Sequence, residues 1–250
     1  MTSTVVRAAL LVSFPVAAAA VGSAIAALRR PGPKVTSGVQ HFAGGVVFAA
    51  LAGEVLPDLH TGGRLGVVVV GFSTGVAVLL ALGEYSRRQE AAAEQRRESG
   101  SGTAAVTLPV GLLAAVVIDL VIDGLLIGLG VTLGSRQGLV LTVALTIEIL
   151  FLGVSVSIEL LDSGQPRLRA ALISGSLGLA TAVGAVAGAA LLGGASQTVI
   201  AGVLSFGAAA LLYLVVEELL VEAHEAAETP AMTAALFVGF LLFLILGMMS

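Results

Sequence analysis

VVIDLVIDGLLIG (116–128) and LTIEILFLGVSV (145–156) decide the fold. Both are apolar runs, yet they carry Asp119, Asp123 and Glu148 near their centres. A carboxylate at the centre of a membrane helix costs about 3 kcal/mol unless it is paired, solvated or coordinating, so an acid there marks a functional site by default. The apolar texture continues in both directions. The chain is 57% hydrophobic and 11% charged over 250 residues, and a span needs roughly 20 apolar residues. Eight spans fit, at Thr4–Leu28, Ser37–Leu56, Arg64–Leu82, Thr103–Leu133, Leu139–Leu161, Leu168–Leu192, Thr198–Val221 and Pro230–Met249. Each is read as a helix, because a lipid-facing backbone must satisfy its own hydrogen bonds. The expected fold is an all-α membrane protein with eight transmembrane helices and one domain covering 1–250.

The composition also excludes functions. The chain has no cysteine, which rules out disulfides and thiolate metal sites. It has no tryptophan and only Tyr85 and Tyr213, so aromatic belts give little help in placing the interfaces. The net charge of −4 is spread over connections, and no nucleic-acid partner is expected. Residues 1–30 are too long an apolar run for a cleaved leader, and their positive charge, Arg29 and Arg30, comes after that run.

Eight spans place both termini on one side. The connections after spans one, three, five and seven carry Arg29, Arg30, Lys34, Arg87, Arg88, Arg96, Arg97, Arg167 and Arg169, against Arg7, Arg64 and Arg136 on the other side. The positive-inside rule then makes both termini extracytoplasmic, and a bacterial inner (plasma) membrane is the expected location. EYSRRQEAAAEQRRESGSG (84–102) becomes a cytoplasmic loop, over about 85–102, formed by a solvated helix end and a linker.

A shift of 164 residues lays HFAGGVVFAALAGEVLPDLH (41–60) on residues 205–224. Phe42 then meets Phe206, Glu54 meets Glu218, Asp58 meets Glu222, and His60 meets His224. Spans two and seven run in opposite directions, so the expectation is an inverted repeat in a 3+2+3 arrangement. Repeat one would cover about 4–84, the central helices about 103–161, and repeat two about 168–249. Repeats of this kind cross near the substrate site of many transporters.

Asp119 and Asp123 are four residues apart and share one helix face. Glu148 enters from the next span at similar depth, and Glu218 lies slightly nearer the cytoplasm. None has a lysine or arginine within the apolar spans to balance it, so oxygen ligation or proton relay explains the set better than structural ion pairing. Gly124 and Gly153 follow the acids and are read as allowing the close helix approach such a site needs, whereas Gly128 and Gly130 read as generic packing. Asp58 and His60 form the expected entrance, though His60 reads slightly better as a loop histidine than as a ligand. His41, Glu222, His224 and Glu225, with Glu228, Glu159 and Asp162, gather where the ion would leave.

These residues resemble the ZIP (Zrt/Irt-like) family of divalent metal transporters. That family reads His-Asn/Ser-x-Pro-Asp/Glu-Gly in span four and His/Gln-Asn/Asp/Glu-x-Pro-Glu-Gly in span five; DLVIDG (119–124) and EILFLG (148–153) stand in their places. LLYLVVEELLVEAHE (211–225) is similar to the family's span seven, and FAGGVVFAALAGEVLPD (42–58) to its span two. The resemblance implies a metal site at Asp119, Asp123, Glu148 and Glu218, with Glu54 contributing from the outer side. The departures imply that a two-metal site is reduced to one: Asp119 and Glu148 replace imidazole or amide ligands, Leu120, Ile149 and Leu152 replace polar ones, and Ile122 and Phe151 replace the motif prolines. Zn, Mn, Fe or a similar ion is the implied cargo, and an oxygen-only site leans toward harder ions.

The leading expectation is thus secondary transport of a divalent metal ion toward the cytoplasm through a carboxylate-lined site, with the lipid bilayer as surroundings and no resident cofactor. A homodimer is compatible with this reading. The alternative keeps the fold but has an altered cargo, a proton-coupled solute, or a non-transporting regulatory role. An enzyme is not expected: no HExxH motif is present, and the two aspartates share one helix.

Overall fold

A computed structural model describes residues 2–98, 108–224 and 229–249. Among them every regular element is helical, and eight helices are long and apolar enough to cross a membrane. They are α1 (Ser3–Leu28), α2 (Pro33–Gly62), α3 (Leu65–Arg88), α4 (Val110–Leu133), α5 (Ser135–Asp162), α6 (Arg167–Leu192), α7 (Gln197–Leu219) and α8 (Pro230–Met248).

Two groups of helices are distinguishable by their packing. In the first, α1, α4, α5 and α6 contact one another extensively. Glycines make this possible. A Cβ at Gly124 would run into the Thr181 carbonyl and one at Gly184 into the Val121 carbonyl, so α4 and α6 touch backbone to backbone. Gly22 and Gly153 do the same for α1 and α5, through the Leu150 and Ala19 carbonyls. Gly124 and Gly153 therefore do allow close helix approach, but of α4 to α6 and of α5 to α1 rather than of α4 to α5, as their place beside the acids suggests. Of the two remaining α4 glycines, Gly128 also faces α6, and Gly130 faces α5. The ends of α1 and α5 are tied as well, by Arg7 to Ser135 at 3.2 Å and by a two-pronged Arg30–Asp162 pair with one prong at 2.7 Å.

The second group contains α2, α3, α7 and α8. α2 lies along α8 and α3 along α7, while α2 and α7 pack against each other. Ser37 meets Ala223 and Gly44 meets Leu219, so α2 and α7 are antiparallel. Both are interrupted by a wider π turn, at Leu51–Val55 in α2 and Leu214–Leu219 in α7.

Three boundaries differ from expectation by more than four residues. α2 continues through Pro57 to Gly62 instead of ending at Leu56. Proline lacks an N–H and its ring crowds the preceding turn, and the π turn just before Pro57 relieves both effects. The segment expected as a loop from 85 is helical as far as Glu98, continuous with α3. Its Ala, Glu, Gln and Arg residues favour helix, and Glu84 is 2.6 Å from Arg88 one turn on. Residues 99–107 lie outside the described part of the chain. Finally, α4 begins at Val110 rather than Thr103, with Pro109 immediately before it.

Candidate metal site

α4 and α5 form an antiparallel hairpin, with Gly130 against Leu141 and Gln137 near its turn. Asp119 and Asp123, one turn apart on α4, both bring a carboxylate to Glu148 of α5. One carboxylate oxygen from each of the three lies within 4.8 Å of the others. Asp123 is 2% exposed and Glu148 1%, and Asp119 is half-buried. Each acid keeps one buried oxygen with no hydrogen-bond partner: Oδ2 of Asp119, Oδ2 of Asp123 and Oε2 of Glu148.

A buried polar atom without a partner is expensive, and three at one point even more so. Leu120, Leu126, Leu145 and Ile149 are almost fully buried in the core around this hairpin. Among the described residues, no arginine or lysine forms an ion pair with the three acids. Three carboxylates that converge and have hydrogen-bonding capacity to spare form a donor set suited to a divalent cation of the oxygen-preferring kind.

The other expected ligands are placed differently from one another. Glu218, in the π turn of α7, is exposed to the exterior of the chain, yet its charge acts on Asp123 and Glu148. Glu54, in the π turn of α2, is not part of the three-acid cluster; its carboxylate lies 3.3 Å from Arg136 at the start of α5. Asp58 is half-buried and His60 exposed at the end of α2. His41 is buried, its Nδ1 2.9 Å from the Ser37 carbonyl, and its ring centroid lies 5.2 Å from that of His224. Those two exit residues are therefore together. Glu225 and Glu228 lie outside the described residues, as does the side chain of Glu222. Asp162 is engaged by Arg30, and Glu159 is exposed.

Sequence reading missed several polar groups. Gln40 is 1% exposed, its Nε2 is 3.5 Å from Ser155 Oγ, and its Oε1 has no partner. Ser157 and Thr181 are also buried with unpartnered hydroxyls. An available signal was Gln40 directly before His41 inside an apolar run. Arg136 as the partner of Glu54 had no local signal at all. The pentapeptide GFSTG (71–75) has the letters of a serine-hydrolase nucleophile elbow, which requires a sharp strand-to-helix turn. Here it lies inside continuous helix, and Gly75 packs against the Phe206 carbonyl, so it carries no catalytic turn.

A family model described as ZIP Zinc transporter matches residues 82–247, from the end of α3 through α8. No curated protein matches the chain.

Proposed function

The chain belongs to the ZIP zinc transporter family, a family of divalent metal transporters, and from that premise we propose that it moves a divalent metal ion toward the cytoplasm through the carboxylates of α4 and α5. The observation that carries this reading is that Asp119, Asp123 and Glu148 each bring a carboxylate oxygen within 4.8 Å of the others', and that each also keeps a buried oxygen without a hydrogen-bond partner. Asp119, Asp123 and Glu148 replace waters of the ion, Glu218 adds negative charge from α7, and Glu54 stands at the outer approach. Asp58 and His60 gather the ion, and His41 and His224 receive it at the opposite end. With no imidazole among the three acids, the donor set leans away from Zn²⁺ and toward harder ions such as Mn²⁺. Both termini are extracytoplasmic, in a bacterial plasma membrane.

The inverted repeat belongs to the same proposal. Its support is that the 164-residue shift relates contacts as well as letters. Gly75 of α3 packs on the Phe206 carbonyl of α7, and Gly239 of α8 packs on the Phe42 carbonyl of α2. The shift carries Gly75 to Gly239, Phe42 to Phe206, and the π turn of α2 onto that of α7. Movement of α2 and α7 against the four-helix group would then alternate access to the three acids.

The test is uptake by purified protein in liposomes, with a panel of divalent ions and an imposed pH gradient. Uptake of at least one divalent ion is expected, and Asp123→Asn should abolish it while leaving the protein folded. A wild-type chain that binds metal without moving it would overturn the transport reading in favour of a regulatory role. Undiminished flux in Asp123→Asn would overturn the site.

A further inference from the structure

Arg136 opens α5, and its guanidinium does two things at once. It lies 3.3 Å from Glu54 Oε1 in the π turn of α2, and it donates a hydrogen bond to the Gly247 carbonyl in the last turn of α8. The Glu54 side chain is only 10% exposed, while that of Arg136 is 50% exposed. The carboxylate is thus held inside and the cation reaches it from the rim. Arg136 precedes Glu148 by twelve residues on the same helix, about 18 Å along its axis.

α5 packs as part of the group formed with α1, α4 and α6, whereas α2 and α8 belong to the other group. Between α5 and the α2/α8 pair lies a small apolar seam of Val46, Ala49, Ala50, Val140, Ala144 and Phe243. Such a seam resists sliding weakly, since it offers no directional bond. The Arg136 contacts cross it with direction and charge. A guanidinium does not lose its proton in proteins, so the pair opens by exchange for another cation, by a proton on the carboxylate or by movement of its helix.

We propose that Arg136 is a tethered counter-cation for Glu54, a positioning residue that keeps this carboxylate closed to weakly competing ions and pins α5 to α2 and α8 until a divalent cation displaces it. The proposal rests on the transport reading above and deepens it. A divalent ion carries twice the charge of a monovalent one and so competes better for the carboxylate. Selection would therefore begin at Glu54, before the three central acids are reached.

Uptake of Mn²⁺ into liposomes tests this with four proteins: wild type, Arg136→Gln, Glu54→Gln and the double variant. Removing the internal competitor is expected to lower KM about fivefold in Arg136→Gln, the scale of a half-exposed ion pair, and to let K⁺ or Na⁺ inhibit uptake more strongly. Glu54→Gln should raise KM. In the double variant the effect of Arg136→Gln should vanish, because there is no carboxylate left to uncover. Arg136→Lys, which keeps the charge, should bring KM back toward the wild-type value. An unchanged KM in Arg136→Gln, or the same change with and without Glu54, would overturn the proposal while leaving the transport reading intact. Wild-type protein that moves no divalent ion would sink both.

Discussion

The α2/α8 and α3/α7 pairs share one packing contact but stand in different electrostatic surroundings. In each, a glycine of the outer helix sits on a phenylalanine carbonyl of the inner one, Gly239 on Phe42 and Gly75 on Phe206. In each, the inner helix then widens into a π turn that carries a glutamate, Glu54 or Glu218. The resemblance ends at the side chain. Glu218 adds its charge to Asp123 and Glu148, whereas Glu54 is held by Arg136. Backbone geometry is set by small residues and close approach; what a carboxylate does there is set by the charge that meets it.

The largest effects should come from breaking this difference at the charges. Glu218→Gln should cut uptake at least tenfold, because it removes negative charge that acts on the central acids. Glu54→Gln should cost less at saturating ion and appear mainly in KM. Equal losses in kcat for the two variants would mean that they play equivalent roles. A binding assay at one ion concentration cannot separate them; a full concentration series can.

The packing side of the comparison predicts smaller effects of one sign. Gly239→Ala and Gly75→Ala each place a methyl group against a backbone carbonyl, and overpacking of this sort costs about 1–3 kcal/mol. Both should lower the melting temperature in detergent, Gly239→Ala the more, since its methyl would meet the Phe42 carbonyl more closely than that of Gly75→Ala meets the Phe206 carbonyl. A large loss in one and none in the other would show that the two pairs are not held by corresponding contacts.

How much of this could be read from the sequence depends on the range of each interaction. The eight spans were legible because apolar runs are long and local. The level of Asp123 with Glu148 was legible because a short turn near Gly134 fixes the hairpin, and equal residue counts on either side give equal depth. By contrast, Gly124 and Gly153 were read against the nearest helix in the chain, when their contacts are with α6 and α1. Pro57 read as a stop because nothing in its own composition announces a π turn. The pairing of Glu54 with Arg136 was not legible, because Arg136 is far along the chain on a different helix.

The smallest effect sharpens the comparison within the π turns themselves. Gly53 lies in the turn of α2, and a methyl group added there would meet nothing within 4 Å. The 164-residue shift places Glu217 at the corresponding position in α7. An L-residue thus occupies that place in the same kind of turn. Gly53→Ala should be tolerated and gain up to about 1 kcal/mol from reduced freedom of the unfolded chain, read as an equal or slightly higher melting temperature. A clear loss would mean that the α2 turn needs glycine for a reason that the α7 turn does not share.

The central claim is that Asp119, Asp123 and Glu148 together hold one divalent ion. Equilibrium dialysis of purified protein against Mn²⁺ tests this most directly, with wild type beside Asp123→Asn and Glu148→Gln. One ion per chain is predicted for the wild type, with that ion lost or bound far more weakly in both variants while their melting temperatures stay near the wild-type value, since each substitution exchanges a buried acid for a neutral amide of the same shape. An ion bound with unchanged stoichiometry and affinity in Asp123→Asn would contradict the account.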